Sequence, residues 1–219
     1  MAPGDIFELA DNLIQVACLL FAVIKAVPYV LKHRDMMLLQ FVLGMLVISL
    51  MGDTMWTVSI WIDYYLPQGL AAWDLAFIGI YFFEITICLS LMNQWTAGEK
   101  QIAGRYRLKA LAAPAVMALS SVIHIAHYGH LIHNLFYAVP AVIASYFACW
   151  LMLAGGKGGG VQPSMRPYHV LMLMWLAIQQ VMFITSSYGL DVAYYVFDIS
   201  MSVTYLFIFP AAKKGAVDV

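Results

Sequence analysis

Residues 38–62, LLQFVLGMLVISLMGDTMWTVSIWI, form an apolar run that contains one charge, Asp53, directly behind Gly52. A helix needs about 20 residues to cross a hydrocarbon core of about 30 Å, and this run is longer than that. A carboxylate at such depth is costly and marks a functional site by default. The run is one of several. The 219-residue chain is 63% hydrophobic and 11% charged, too few charges to clothe a water-facing domain. Its mean hydropathy of +0.84 is that of a membrane protein.

The fold class expected is all-α integral membrane. One domain over 1–219 carries seven spans, at about 6–31, 38–62, 75–95, 110–126, 135–153, 168–187 and 192–211. These runs far exceed the roughly 10 residues of a barrel strand, which excludes a β-barrel. Pro28 is expected to bend the end of the first span. The segment 63–74, DYYLPQGLAAWD, reads as a loop, as does the basic stretch 96–109. GGKGGGVQPSMRP reads as a flexible linker, and the six glycine-region residues 155–160 lack the context of a phosphate loop. Cys18, Cys88 and Cys149 all fall in apolar segments and read as small buried hydrophobes. The acidic N-terminus has no basic n-region, so the first span is expected to be retained.

Charge gives the expected orientation. With seven spans, all 11 Lys and Arg residues fall on one side, while Asp5, Glu8, Asp11, Asp63, Asp74 and Asp191 fall on the other. The positive-inside rule then puts the N-terminus outside and the C-terminus in the cytoplasm of a multi-pass cell-membrane protein. Trp61, Tyr64, Tyr65, Trp73, Tyr194 and Tyr195 fit an aromatic belt at the outer boundary.

Three carboxylates are expected inside: Asp53, Glu84 and Asp198, with Gln179 and Gln180 at similar depth and Trp56 one turn from Asp53. One reading is an outward-facing polar pocket between spans 2, 3, 6 and 7 that binds a ligand, relays protons or performs acid–base chemistry. The other is that each acid is protonated or hydrogen-bonded and only locks helix packing.

The run HIAHYGHLIH spaces His124, His127, His130 and His133 three apart. Steps of three on a helix spiral by about 60° each, so the four do not face one point. A zinc or haem site on His124, His127 and His130 and a pH sensor are weaker readings than an uncharged interfacial loop. Haem would also need a deep histidine on a second span, and His169 lies too near the cytoplasmic end. Lys25 is expected to snorkel to the inner interface.

Two resemblances bear on function. In size, topology and loop polarity the chain resembles the microbial rhodopsins. YVFDISMSVTYLF is similar to that family's last span, in which an acid is followed four residues later by the retinal lysine. Asp198 matches the acid, but Ser202 stands at the lysine position. The resemblance thus implies the fold and a ligand pocket, without a covalent retinal. LVISLMGDTMW resembles the Ser-x-x-Gly-Asp element of the lysoplasmalogenase family, which implies that Asp53, with Glu84 or Asp198, is the acid–base pair hydrating a vinyl-ether lipid.

The functional expectation is a receptor- or sensor-like protein that binds a ligand from outside through Asp53, Trp56, Glu84, Gln179, Gln180 and Asp198. The alternatives are a lipid hydrolase using Asp53 and Glu84, and a proton- or cation-coupled transporter. The partners expected are the bilayer, a small-molecule or lipid ligand and a signalling protein, with no nucleic acid.

Overall fold

The computed structural model describes residues 3–62, 70–155 and 163–217, with side chains from residue 7 to residue 216. Seven helices or helix runs in it are long and apolar enough to cross a membrane. They are α1 (Pro3–Lys32), α2 (Met37–Ile62), α3 (Ala72–Asn93), the run of α5 (Arg107–Ala110) into α6 (Ala112–Tyr128), α7 (Leu131–Ala154), α8 (Arg166–Ser187) and α9 (Asp191–Val217). A short α4 (Ala97–Gly104) lies between α3 and α5, and a 3-10 turn, Pro163–Met165, leads into α8. Among the described residues there is no strand.

The helices close into a bundle. α1 packs between α2 and α9, α2 packs on α3, α3 on α7, α7 on α6 and α8, and α8 on α9. Leu19, Leu39, Met45, Leu46, Ile80, Tyr168, Trp175 and Tyr205 fill the interior. The outer faces stay apolar: Phe21, Ile24, Phe82, Val116, Leu119, Val122, Ile132 and Phe207 are exposed. Water-soluble monomers rarely show an apolar surface so continuous, whereas a hydrocarbon surround makes it neutral.

Helix ends follow local chemistry. The Thr96 hydroxyl accepts from the Glu99 amide at 3.3 Å, and the Glu99 carboxylate accepts from the Thr96 amide at 2.6 Å. This reciprocal pair caps α4. Asp74, at the third position of α3, accepts from the Ala71 amide at 2.6 Å. Between α6 and α7 the chain reverses at Gly129 (φ 81°) and His130 (φ 47°). Only glycine adopts the first of these without strain, and histidine is among the residues that tolerate the second. Asn134 Nδ2 donates to the Gly129 carbonyl at 2.6 Å and closes the turn.

α2 and α3 pack closely. A Cβ added at Gly52 would meet Phe77 Cε1 at 2.9 Å and Ala76 Cβ at 3.1 Å. The glycine makes room for the Phe77 ring and the Ala76 methyl against α2, as small residues do between helices in membranes.

Several expectations need correction. The segment 96–109 is not a plain loop, because the Thr96–Glu99 cap and the burial of Ala103 build α4. Trp150 Nε1 donates to the Ala103 carbonyl at 2.7 Å and the Arg107 guanidinium lies 4.9 Å from the Trp150 ring. The last span does not stop at Ala211. The helix continues through Pro210 to Val217, with Lys213 Nζ 3.8 Å from the Tyr29 ring and Ser164 Oγ donating to the Gly215 carbonyl at 3.1 Å. Lysines in a last turn also suit the negative end of the helix dipole. Asp74 belongs to α3 rather than to the preceding loop. α1 runs unbroken past Pro28 to Lys32. The glycine-rich linker expected at 156–162 and the loop residues 63–69 lie outside the described residues.

Candidate functional site

A cavity of about 320 Å³ opens at the bundle end that holds the start of α1. Its walls come from the first turns of α1, α3, α7 and α9 and the last turns of α2, α6 and α8, as an up-and-down bundle requires. The volume sits at the lower end of the range of small-molecule sites.

The acids are of two kinds. Asp74 is fully engaged: besides the Ala71 amide it accepts from the Tyr137 hydroxyl at 2.5 Å, and His133 Nε2 lies 3.3 Å away. Asp53 and Asp198 are not. Oδ2 of Asp53 and Oδ1 of Asp198 are buried and receive no hydrogen bond among the described residues. Asp11, on α1, stands within hydrogen-bonding reach of Asp198 and also leaves its Oδ1 without a donor. Buried acceptors without a donor are rare in folded proteins and call for an explanation. Two adjacent carboxyls cannot bond unless a proton or a cation lies between them.

Aromatic rings enclose these acids. Trp56 and Trp73 meet edge-on at 5.5 Å, and Phe77, Trp175, Tyr194 and Tyr205 complete the wall. Asn12, Gln15 and Gln179 add amides, and among the described residues no lysine or arginine lines the cavity.

The residues singled out in the sequence divide. Asp53, Trp56, Gln179 and Asp198 line the cavity together. Gln179 Oε1 accepts from the Tyr81 hydroxyl at 2.6 Å, which fixes its amide. Gln180 does not join them. It faces a separate narrow gap beside Ser121 and Ile125. Glu84 is also apart. Its carboxylate accepts from the Tyr168 hydroxyl at 2.5 Å and from Cys88 Sγ at 3.3 Å, deeper toward the basic end.

The histidines do not converge on one point, as their spacing predicts. His124 is held by Asn134 Oδ1 at 3.1 Å and Ser187 Oγ at 2.6 Å, so both its nitrogens are taken. His127 stacks on Tyr188 at 4.0 Å, and His130 sits exposed in the turn. Lys25 is exposed, its Nζ 5.4 Å from the Phe21 ring.

Asp11 and Asp74 are the residues that sequence reasoning missed. The sequence reads Asp11 as an acid near the start of the first span and Asp74 as the last residue of the 63–74 loop, both on the side opposite the cations. The available signal was their helical register: Asp11 precedes Asn12 and Gln15 on one face of α1, and Asp74 sits at a capping position.

Comparison of the chain with family models, with curated proteins and with solved structures finds no match.

Proposed function

We propose that this chain is a ligand-binding, receptor-like membrane protein whose cavity takes a small organic cation, such as a primary or quaternary amine. One observation carries the reading: Asp53 and Asp198 line one aromatic-walled cavity in which the described residues place no lysine or arginine, and each has a buried carboxyl oxygen that no described protein group satisfies. A cation would supply the missing partner, and the faces of Trp56, Trp73 and Tyr205 would add cation–π attraction. The positive-inside rule supports placing the cavity mouth on the outer side, because alternation of seven spans assigns all 11 cations in the sequence to the opposite side. A protein partner would carry any signal onward.

The test is a thermal-shift and native mass-spectrometry screen of amines on the purified protein. Amine binding should weaken about 10- to 150-fold in Asp198→Asn, the range for hydrogen bonds to charged groups. Equal binding of amines and neutral isosteres would sink the reading.

A second reading is favoured by the same two acids. Asp53 and Asp198 line one cavity, which supports a carboxylate pair for acid–base hydration of a vinyl-ether lipid, without Glu84. Incubation with lysoplasmalogen distinguishes it: aldehyde release that stops in Asp53→Asn would establish the enzyme.

A further inference from the structure

The cluster around Glu84 plays no part in the cavity. Glu84 and Cys88 lie one turn apart on α3, and His169 reaches them from α8. All three are buried, at 1%, 0% and 1% exposure. One ligand atom from each lies within 4.8 Å of the others. The pairs with Glu84 are closer: Cys88 Sγ is 3.3 Å and His169 Nδ1 3.9 Å from Oε1. Ligands around a tetrahedral ion at ordinary zinc bond lengths stand about 3.4–3.6 Å apart, so these separations bracket the required ones.

His169 supplies an independent observation. Neither ring nitrogen makes a hydrogen bond among the described residues, although the side chain is buried. An imidazole with two unmet nitrogens in an apolar interior is costly, unless one nitrogen has a ligand that is not a protein group. Its Nδ1 is the atom aimed at Glu84.

We infer that Glu84, Cys88 and His169 form a binding site for a borderline-soft divalent metal ion, with zinc as the best fit. The donor set is one oxygen, one sulfur and one nitrogen. Thiolate and imidazole favour zinc and its neighbours over calcium or magnesium, which take oxygen alone. Charge closes as well. A thiolate and a carboxylate neutralise a divalent ion, so the loaded site leaves no net charge in the membrane interior. Binding releases the Cys88 thiol proton, which now points to Glu84, to the solvent with the ion's shed hydration water, and three protein ligands leave a fourth coordination position. Tyr168 does not ligate. Its hydroxyl holds Oε2 and so turns Oε1 toward the ion, the outer-shell role that fixes metal-binding carboxylates. The ion joins α3 to α8 at a depth between the cavity and the basic end.

The test uses the full chain in detergent, stripped with chelator and reloaded with Zn²⁺ or Co²⁺ alone. The expected result is one ion per chain by elemental analysis, with a thiolate-to-cobalt charge-transfer band in the Co²⁺ form. Cys88→Ser should lose the band and His169→Ala the retained ion, while His124→Ala keeps both. Tyr168→Phe should weaken affinity about 10- to 100-fold without abolishing it. If either ligand variant fails to fold, the wild-type Co²⁺ spectrum still decides, because a bound ion without thiolate ligation contradicts the site. Failure of the wild type to take up either ion, or uptake unchanged in both ligand variants, overturns the inference. None of these outcomes depends on an amine ligand.

Discussion

The Tyr137 hydroxyl donates to Oδ1 of Asp74 at 2.5 Å and ties the first turns of α7 to the first turn of α3. The same carboxylate accepts from the Ala71 amide and stands 3.3 Å from His133. One residue thus caps a helix and fixes two walls of the cavity. Tyr137→Phe leaves a buried carboxylate short of a donor and should cost about 1–3 kcal/mol. Chemical denaturation in detergent would read this, and an unchanged midpoint would show that the bond does not contribute.

Asp53 and Asp198 should behave differently from Asp74 when neutralised. Each holds a buried oxygen without a donor among the described residues, so Asp53→Asn removes an unsatisfied acid, and Asp198→Asn puts an amide donor beside Asp11 in place of the second carboxyl. Their melting temperatures should hold or rise while amine binding falls. A large loss of stability in both would make them packing groups.

Gly52 lies at a close contact between α2 and α3. Gly52→Val adds atoms that meet Phe77 and Ala76, and overpacking of this kind costs about 1–3 kcal/mol. Because Phe77 lines the cavity, the variant should also weaken ligand binding. A protein of wild-type stability would indicate that Phe77 moves aside freely.

Glu99 gives α4 a defined pH response. The Thr96 amide, and then its hydroxyl, hold the Glu99 carboxyl below its ordinary value. A lowered folded-state value means that the cap stabilises above the ordinary carboxylate range and is lost as pH falls through the lowered one. Amide protection factors in α4 should therefore fall on acidification and be low at all pH values in Glu99→Ala. Equal protection in both proteins would contradict the cap.

Orientation can be measured at Gly98, which has open space around it on α4. Gly98→Cys should react with a membrane-impermeant maleimide only after the membrane is opened, above the background of the native cysteines. Labelling in intact cells would reverse the orientation and put the cavity mouth inside.

Sequence by itself determined the seven helices, because hydrocarbon-length apolar runs admit no other backbone that satisfies its own hydrogen bonds. It gives the expectation that the cations share one side, since their order along the chain is enough once the spans alternate. It found Asp53 and Asp198 because an acid inside an apolar run stands out against its neighbours. Only the tertiary structure decided which acids meet. Depth along a helix is legible in sequence, but rotation about the axis and the choice of neighbour are not when a helix is apolar on every side. Lipid-facing and buried faces then look alike, and periodicity carries no signal. For that reason Glu84, equal in apparent depth to Asp53, turned out to face Cys88, Tyr168 and His169 rather than the cavity. Asp11 and Asp74, at the ends of apolar runs, became buried because neighbouring helices rise beside them. That burial is a property of the packed bundle and of no single segment.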